Sequence, residues 1–286
     1  MAGAGFTYLK AECMISVKTI VDDNLAAPLR AEHGLALWVS VENGFSGLKN
    51  DFLFDTGQHA DVLSANAAAA GVDLSAASAV VLSHGHYDHT GGLPALECVS
   101  PLCPVFLGPD AERRRFSTQV GVAPSGRKML KPIGMPRPDE LASHTVRRVS
   151  GVLRQSSSLT LFTLPQAAPP NVRLIAADAV SPDSFSDEVF ALVSDGVSNM
   201  LFGGCTHHGL PLLLDFVFGS LGVGRVDCFV GGLHLQGRPA DEIEAVADVA
   251  ARYPVRAYAP LHCTGADALA IWRRRFHLVD GPDFVV

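Results

Sequence analysis

The chain predicts an α/β fold of the four-layer kind, an αββα sandwich in which two sheets face each other and helices cover the outside. Three observations carry this expectation. Short β-patterned runs alternate with helical ones in both halves of the chain. In each half, strands lead directly into loops that bear histidine. The 286 residues, 48% hydrophobic and only 18% charged, supply enough apolar side chain for a large buried core. One domain over residues 1–286 is expected, with the site in the cleft where strand ends from both halves meet.

Residues 35–42 alternate Leu35, Leu37, Val39 and Val41 with Ala36, Trp38, Ser40 and Glu42, the period of two of a half-buried strand. Phe52–Phe54 is expected to pair with it. That second run ends in Asp55-Thr56-Gly57, and an alanine-rich helix follows as far as Ala70, stopped by Gly71. Ala79–Leu82 is a short apolar run that ends at Ser83-His84-Gly85-His86, so the histidines begin where a buried strand emerges into a loop. Val105–Leu107 reads as the next strand. From Gly108 to Pro170 the periodicity is weak and Pro, Ser and Arg are frequent, so about 108–170 reads as a connection with lid character. The second half restarts with short strands near Val172–Ala176, Val189–Ser194 and Asn199–Phe202, a helix after Pro211 and a strand at Val226–Val230. Ile243, Val246, Ala247, Ala250 and Tyr253 share one helical face. Arg256–Pro260 reads as a strand leading to His262, Ala266–Phe276 as a helix and His277–Val286 as an edge segment.

Composition excludes some partners. A net charge of −7 disfavours nucleic acid and anionic membrane, and a small-molecule substrate fits better. The longest apolar candidate, Leu210–Val223, is broken by Asp215 and falls short of the ~18 residues a membrane span requires. With no readable secretory leader, a soluble, cytoplasmic protein is expected. The six cysteines form no CxxC pair and are expected to be mostly reduced. Nothing in the sequence sets an oligomeric state.

The chemistry is concentrated in His84-x-His86-x-Asp88-His89, four good metal ligands within one loop, with Gly85, Gly91 and Gly92 giving backbone freedom. In an extended stretch His84 and His86 can point the same way, while Asp88 and His89 turn to a second point nearby. Two metal ions can then share one loop. Further ligands are expected from Phe202-Gly203-Gly204-Cys205-Thr206-His207-His208-Gly209 and from Leu261-His262-Cys263-Thr264-Gly265, both after strands.

Ser83-His84-Gly85-His86-Tyr87-Asp88-His89-Thr90-Gly91-Gly92 resembles the signature of the metallo-β-lactamase superfamily, and Asp55-Thr56-Gly57 resembles its upstream motif. The later segments, with Gly231-Gly232-Leu233-His234, resemble a branch of the superfamily, the 7,8-dihydropterin-6-yl-methyl-4-(β-D-ribofuranosyl)aminobenzene 5'-phosphate synthase-like proteins. The resemblance implies that His84 and His86 bind one metal, that Asp88 and His89 bind the other, and that His262 completes the second. Where most members carry a bridging aspartate, this chain has Cys205, a thiolate donor suited to zinc. The separate upstream histidine of many relatives is missing, and His207 is its expected replacement. Asp187 or Glu188 can instead reach the metal or orient a ligand. His208 is expected as an outer partner or substrate contact, and His234 as a hydrogen-bond donor or acid toward substrate. His33, His59, His144 and His277 lack such a context and read as surface or packing residues.

The implied function is a metal-dependent hydrolase. Two divalent ions, zinc first with manganese or iron as alternatives, would generate hydroxide from water at neutral pH, with Asp88 as both ligand and hydrogen-bond acceptor. The substrate class is a small ester. Arg113, Arg114 and Arg115, with Arg127, Lys128, Lys131 and Arg137, make a basic stretch on an acidic chain, which suits a phosphorylated substrate or a solvated loop. The rivals are a β-lactam hydrolase, an iron-dependent oxidoreductase on the same fold, and a non-catalytic metal-binding protein. The missing upstream histidine counts against the first. Flavin-linked diiron relatives carry Glu where His86 stands, which counts against the second, and the intact ligand loop counts against the third.

Overall fold

The computed structural model describes residues 14–43, 48–122, 128–165, 174–175 and 182–285. In chain order the strands of the first sheet are β1 (Met14–Val21), β2 (Ala36–Asn43), β3 (Leu48–Phe54), β4 (Ala79–Val81) and β5 (Pro104–Leu107). A small separate sheet contains β6 (Phe116–Val122) and β7 (Lys128–Pro132). Then come β8 (Thr145–Arg148), β9 (Val152–Arg154), β10 (Leu159–Thr163), β11 (Leu174–Ile175), β12 (Val189–Ser194), β13 (Asn199–Gly203), β14 (Val226–Gly232), β15 (Val255–Leu261) and β16 (Asp283–Val285). The first sheet runs β16-β1-β2-β3-β4-β5-β8 and the second β15-β14-β13-β12-β10-β9, with β11 beside β6 in the third. Helices α1 (Ala60–Ala69), α2 (Tyr87–Thr90), α3 (Leu210–Asp215), α4 (Ala240–Ala250) and α5 (Ala266–Arg275) complete the set.

Alternation along the strands produces four layers. Leu37, Val39 and Val41 of β2, Phe52 and Phe54 of β3 and Val81 of β4 join Val189, Ala191, Phe202 and Val230 of the second sheet in one core between the sheets. The residues between them face outward: Trp38, Leu53 and Val80 pack with Val62, Leu63 and Ala67 of α1. Phe190, Leu201, Phe229 and Tyr258 pack with Leu213, Ile243, Ala247 and Trp272 of α3 to α5. Both sheets are therefore covered on both faces, and the chain has the αββα sandwich expected from its sequence.

Parallel pairing places the functional loops. β3, β4 and β5 are mutually parallel neighbours, as are β13, β14 and β15. Loops that leave the C-terminal ends of such neighbours emerge on one side of a sheet. The two sheets bring these ends together, since Val189 N donates to Ser83 O at 2.6 Å.

One expectation needs correction. The stretch 108–170 is not simply a connection: β8 lengthens the first sheet by parallel pairing with β5, and β9 and β10 build one edge of the second. Its periodicity is weak for physical reasons. β8 lies at a sheet edge with three of its four residues exposed, and β10 is buried on both faces, so neither shows clean alternation. Of the strand expected at Val172–Ala176, only Leu174 and Ile175 lie among the described residues. Strand β1, antiparallel to β2 and to β16, adds to the expected set.

Phe202 is fully buried between the sheets, with ring centroids 6.4 Å from Phe52 and 6.0 Å from Phe54. Phe202→Ala is expected to cost about 3–5 kcal/mol in urea denaturation. Leu102→Ala, at a position 84% exposed, should stay within about 0.5 kcal/mol of the parent.

Candidate metal centre

The loop after β4 changes conformation halfway, and this sorts its ligands. His86 is extended at φ −80° and ψ 150°, and the chain then enters the single helical turn α2. His84 and His86 therefore precede the turn, while Asp88 and His89 lie on it. Gly85 makes the extended part possible, because a Cβ there would lie 1.7 Å from the Ala111 carbonyl oxygen. Its N–H donates to Asp187 Oδ2 at 2.7 Å.

Three overlapping groups of donors result. His84, His86 and His207 offer ring nitrogens within 4.8 Å of one another, Asp88, His89 and His262 form a second such group, and His84, His89 and Cys205 a third between them. His84 Nε2 and His207 Nε2 face each other at 3.2 Å, and Cys205 Sγ lies 3.2 Å from His89 Nε2. Lone-pair atoms this close require a shared proton or a cation. His86 Nε2 is buried without a hydrogen-bond partner. Nitrogen, carboxylate and thiolate donors in this arrangement fit two divalent ions, and thiolate with imidazole suits zinc.

Acceptors, most of them buried, hold the rings from outside. Asp55 Oδ2 lies 2.7 Å from His89 Nδ1 and accepts from Ser83 Oγ at 2.7 Å, and Ser83 Oγ in turn lies 2.9 Å from His84 Nδ1. Both imidazoles thus carry their protons on Nδ1 and direct Nε2 inward. His262 Nδ1 contacts Asp23 Oδ1 at 2.6 Å, and its N–H donates to Asp22 Oδ1 at 2.6 Å. Glu188 accepts from the backbone N–H groups of His207 and His208, at 2.6 and 3.1 Å. Asp187 and Glu188 therefore orient loops, and neither belongs to a donor group.

Electrostatics prepares the same roles. Burial, with neighbouring histidines, holds His84 and His207 well below the usual imidazole range, and burial holds His86 down to about 3. Neutral imidazole is the form that binds metal. Burial opposes ionisation of Asp88, but His89 and hydrogen bonds from His262 and His33 outweigh it and keep the carboxyl well below its normal range. Burial pushes the Cys205 thiol up, so a cation would have to displace its proton.

The remaining expected residues lie around these groups. Arg115 is not available to a substrate: it is 2% exposed, and its guanidinium donates to Asp183 Oδ2 at 2.7 Å, Asp187 Oδ1 at 2.6 Å and the Ala111 carbonyl at 3.0 Å. The buried carboxylates that need a counter-charge drew it inward. Arg113 is half-buried, and the exposed Arg114 lies 5.4 Å over the Phe116 ring. Arg127 and the side chain of Lys128 fall outside the described residues. His208 is buried with Nδ1 2.6 Å from Glu188 Oε2, an anchor for its loop. His234 is grouped with Cys205 and Cys263, its ring 4.4 Å from that of His207.

His33, expected as an ordinary surface or packing residue, places Nε2 3.2 Å from Asp88 Oδ2 and Nδ1 2.9 Å from Asp23 Oδ2. Asp23 thus links His33 to His262. The sequence signal for this pair is slight: two acids, Asp22 and Asp23, directly after the apolar end of β1.

Residues 47–99 match the family model of the metallo-beta-lactamase superfamily. A solved structure described as a metal-dependent hydrolase of the beta-lactamase superfamily superposes with a TM-score of 0.77 at 25% identity, covering 95% of this chain and 98% of its own. The metallo-beta-lactamase fold protein YhfI from Bacillus subtilis superposes at 0.54 with 14% identity, over 96% and 99% of the two chains. In sequence, the chain is 23% identical over 271 residues to 7,8-dihydropterin-6-methyl-4-(beta-D-ribofuranosyl)-aminobenzene-5'-phosphate synthase of Methanocaldococcus jannaschii, 92% of each chain being covered.

Asp55→Asn should weaken zinc binding about 10–100-fold, read by competition with a chromophoric chelator, because an amide keeps one acceptor oxygen where the carboxylate uses both, Oδ1 for Ser83 N–H and Oδ2 for Ser83 Oγ and His89 Nδ1. Unchanged affinity would remove Asp55 from the ligand-orienting role. Arg115→Ala should destabilise the protein by about 3–5 kcal/mol in denaturant, since it strands the buried Asp183 and Asp187. A folded, fully stable variant with only a raised KM would restore Arg115 to substrate binding.

Proposed function

Starting from a chain that has the metallo-β-lactamase fold and belongs to that superfamily, we propose that it is a dinuclear metal-dependent hydrolase acting on a small ester-type substrate. One observation carries the reading: two donor groups, His84, His86 and His207 beside Asp88, His89 and His262, share one buried loop with Cys205 between them. The first group would hold one ion and the second the other. Bound there, divalent ions supply a Lewis acid for the substrate oxygen and lower the pKa of water from about 16 toward ~7.

The protein's own residues do the positioning. Asp55, Ser83 and Asp23 fix the ring orientations of His89, His84 and His262, so the inward nitrogens need no rearrangement when substrate arrives. Asp88 is held as a carboxylate and is the acceptor suited to the proton of an attacking water. His33, half-exposed and bonded to Asp88, carries this network out to solvent. No helix among the described residues is long and apolar enough to cross a membrane.

A phosphorylated ester is the substrate subclass we favour. The Methanocaldococcus jannaschii relative is named for a compound that carries a 5'-phosphate, and with Arg115 withdrawn a cation beside the ligand loop that supports this reading is Lys131. Lys131 Nζ lies 3.4 Å from Tyr87 Oη, one residue from Asp88.

Purified protein should contain about two zinc or manganese ions per chain and hydrolyse a panel of small esters. His86→Ala should lose metal and at least about 100-fold in kcat/KM while keeping its far-UV circular dichroism. Iron as the bound metal would favour redox chemistry, and full metal retention in His86→Ala would remove His86 from the ligand set.

A further inference from the structure

Three adjacent parallel strands of the second sheet end within one residue of a common level. β13 ends at Gly203, β14 at Gly232 and β15 at Leu261. Their registers pair Gly203 with Gly231 and Gly232 with Leu261. Two residues beyond each end stands a soft or borderline metal donor: Cys205, His234 and Cys263. Neighbouring strands lie about 4.8 Å apart, so equal offsets bring the three side chains together. Their ligand atoms all lie within 4.8 Å of one another.

We propose that Cys205, His234 and Cys263 form a separate thiolate-rich metal site that takes zinc or another thiophilic ion beside the hydrolytic pair. His234 and Cys263 belong to neither donor group of that pair, and Cys205 stands at the junction of the two sites. Two thiolates and an imidazole are a donor set suited to zinc, more so than to manganese or magnesium.

The surroundings are built for these donors. Cys205 and Cys263 are 3% and 7% exposed, and His234 Nδ1 is buried with no hydrogen-bond partner. A Cβ on Gly232 would meet Cys263 Sγ at 2.6 Å and the Gly204 carbonyl oxygen at 2.7 Å, so glycine makes room for the thiol. Each of the three loops also holds one non-glycine residue in the left-handed region: Thr206 at φ 56°, His234 at 50° and His262 at 47°. Strain repeated in three adjacent loops is the pattern of a constellation that the sheet over-determines. The proposal adds an ion to the hydrolase reading without depending on it.

The test uses the full chain, stripped by chelator and titrated anaerobically with Co²⁺ in the presence of a non-thiol reductant. Bound cobalt per chain and the thiolate-to-cobalt charge-transfer absorption are followed together. Cys263→Ser should lower the stoichiometry by about one ion per chain and remove the part of the charge-transfer band that this ion carries. His234→Gln, which keeps both thiols, should lower the same stoichiometry. In His86→Ala the Cys263-dependent part of the band should persist. Stoichiometry unchanged in Cys263→Ser and in His234→Gln, with native circular dichroism, overturns the site and reduces the two thiols to packing. If His86→Ala alone retains all its cobalt, the hydrolytic pair fails while this site stands.

Discussion

Asp55 accepts three hydrogen bonds at the C-terminal end of β3, from Ser83 N at 2.6 Å, Ser83 Oγ at 2.7 Å and His89 Nδ1 at 2.7 Å, with no exposed surface. Through these contacts one carboxylate joins two strands and sets the tautomers of two inward-facing imidazoles. A buried carboxylate is expensive unless its lone pairs are used, and here every recorded contact is to the histidine loop. The loop's shape and the acid's solvation are thus a single interaction. Gly204 belongs to it as well, because a Cβ there would lie 2.1 Å from Ser83 Oγ.

The same logic is repeated around the centre. Asp22 and Asp23 serve His262, Asp187 serves Gly85 and Arg115, and Glu188 serves the 207–208 backbone. These acids, all but the half-buried Asp23 buried, ring a group of histidines, several of which burial keeps neutral. Such an arrangement carries negative charge inward and would be balanced by cations held at its middle. Folding and metal binding are linked in consequence, since ions that bind only the folded chain stabilise it by mass action.

Arg115 shows why charge in a sequence is a poor guide to a substrate. It sits in a run of three arginines, yet its side chain is consumed by Asp183 and Asp187, residues 68 and 72 positions away. Through Asp187 this ion pair reaches Gly85 and supports the loop that bears the ligands. Its neighbour Arg114 points outward over Phe116. Adjacent residues of one type thus have opposite environments, decided by which carboxylates the fold brings near.

What the sequence determined by itself was the layered class, most of the strands that carry it, and the His84–His89 loop. Alternation in β2 and the abrupt end of an apolar run at Ser83 are local signals, and four ligands in six residues need no distant partner to be seen. Strands without a local signal, such as the exposed β8 and the doubly buried β10, were not legible, because their pairing is made by the backbone. His33, Asp23, Arg115 and the Cys205, His234 and Cys263 group were decided by tertiary structure. Each depends on residues from separate strand ends, and their separations along the chain reach 239 positions between Asp23 and His262. Sequence patterns report the nearest neighbours of a residue along the chain, whereas a ligand's partners are set by strand order and register, which exist only once the two sheets have closed on each other.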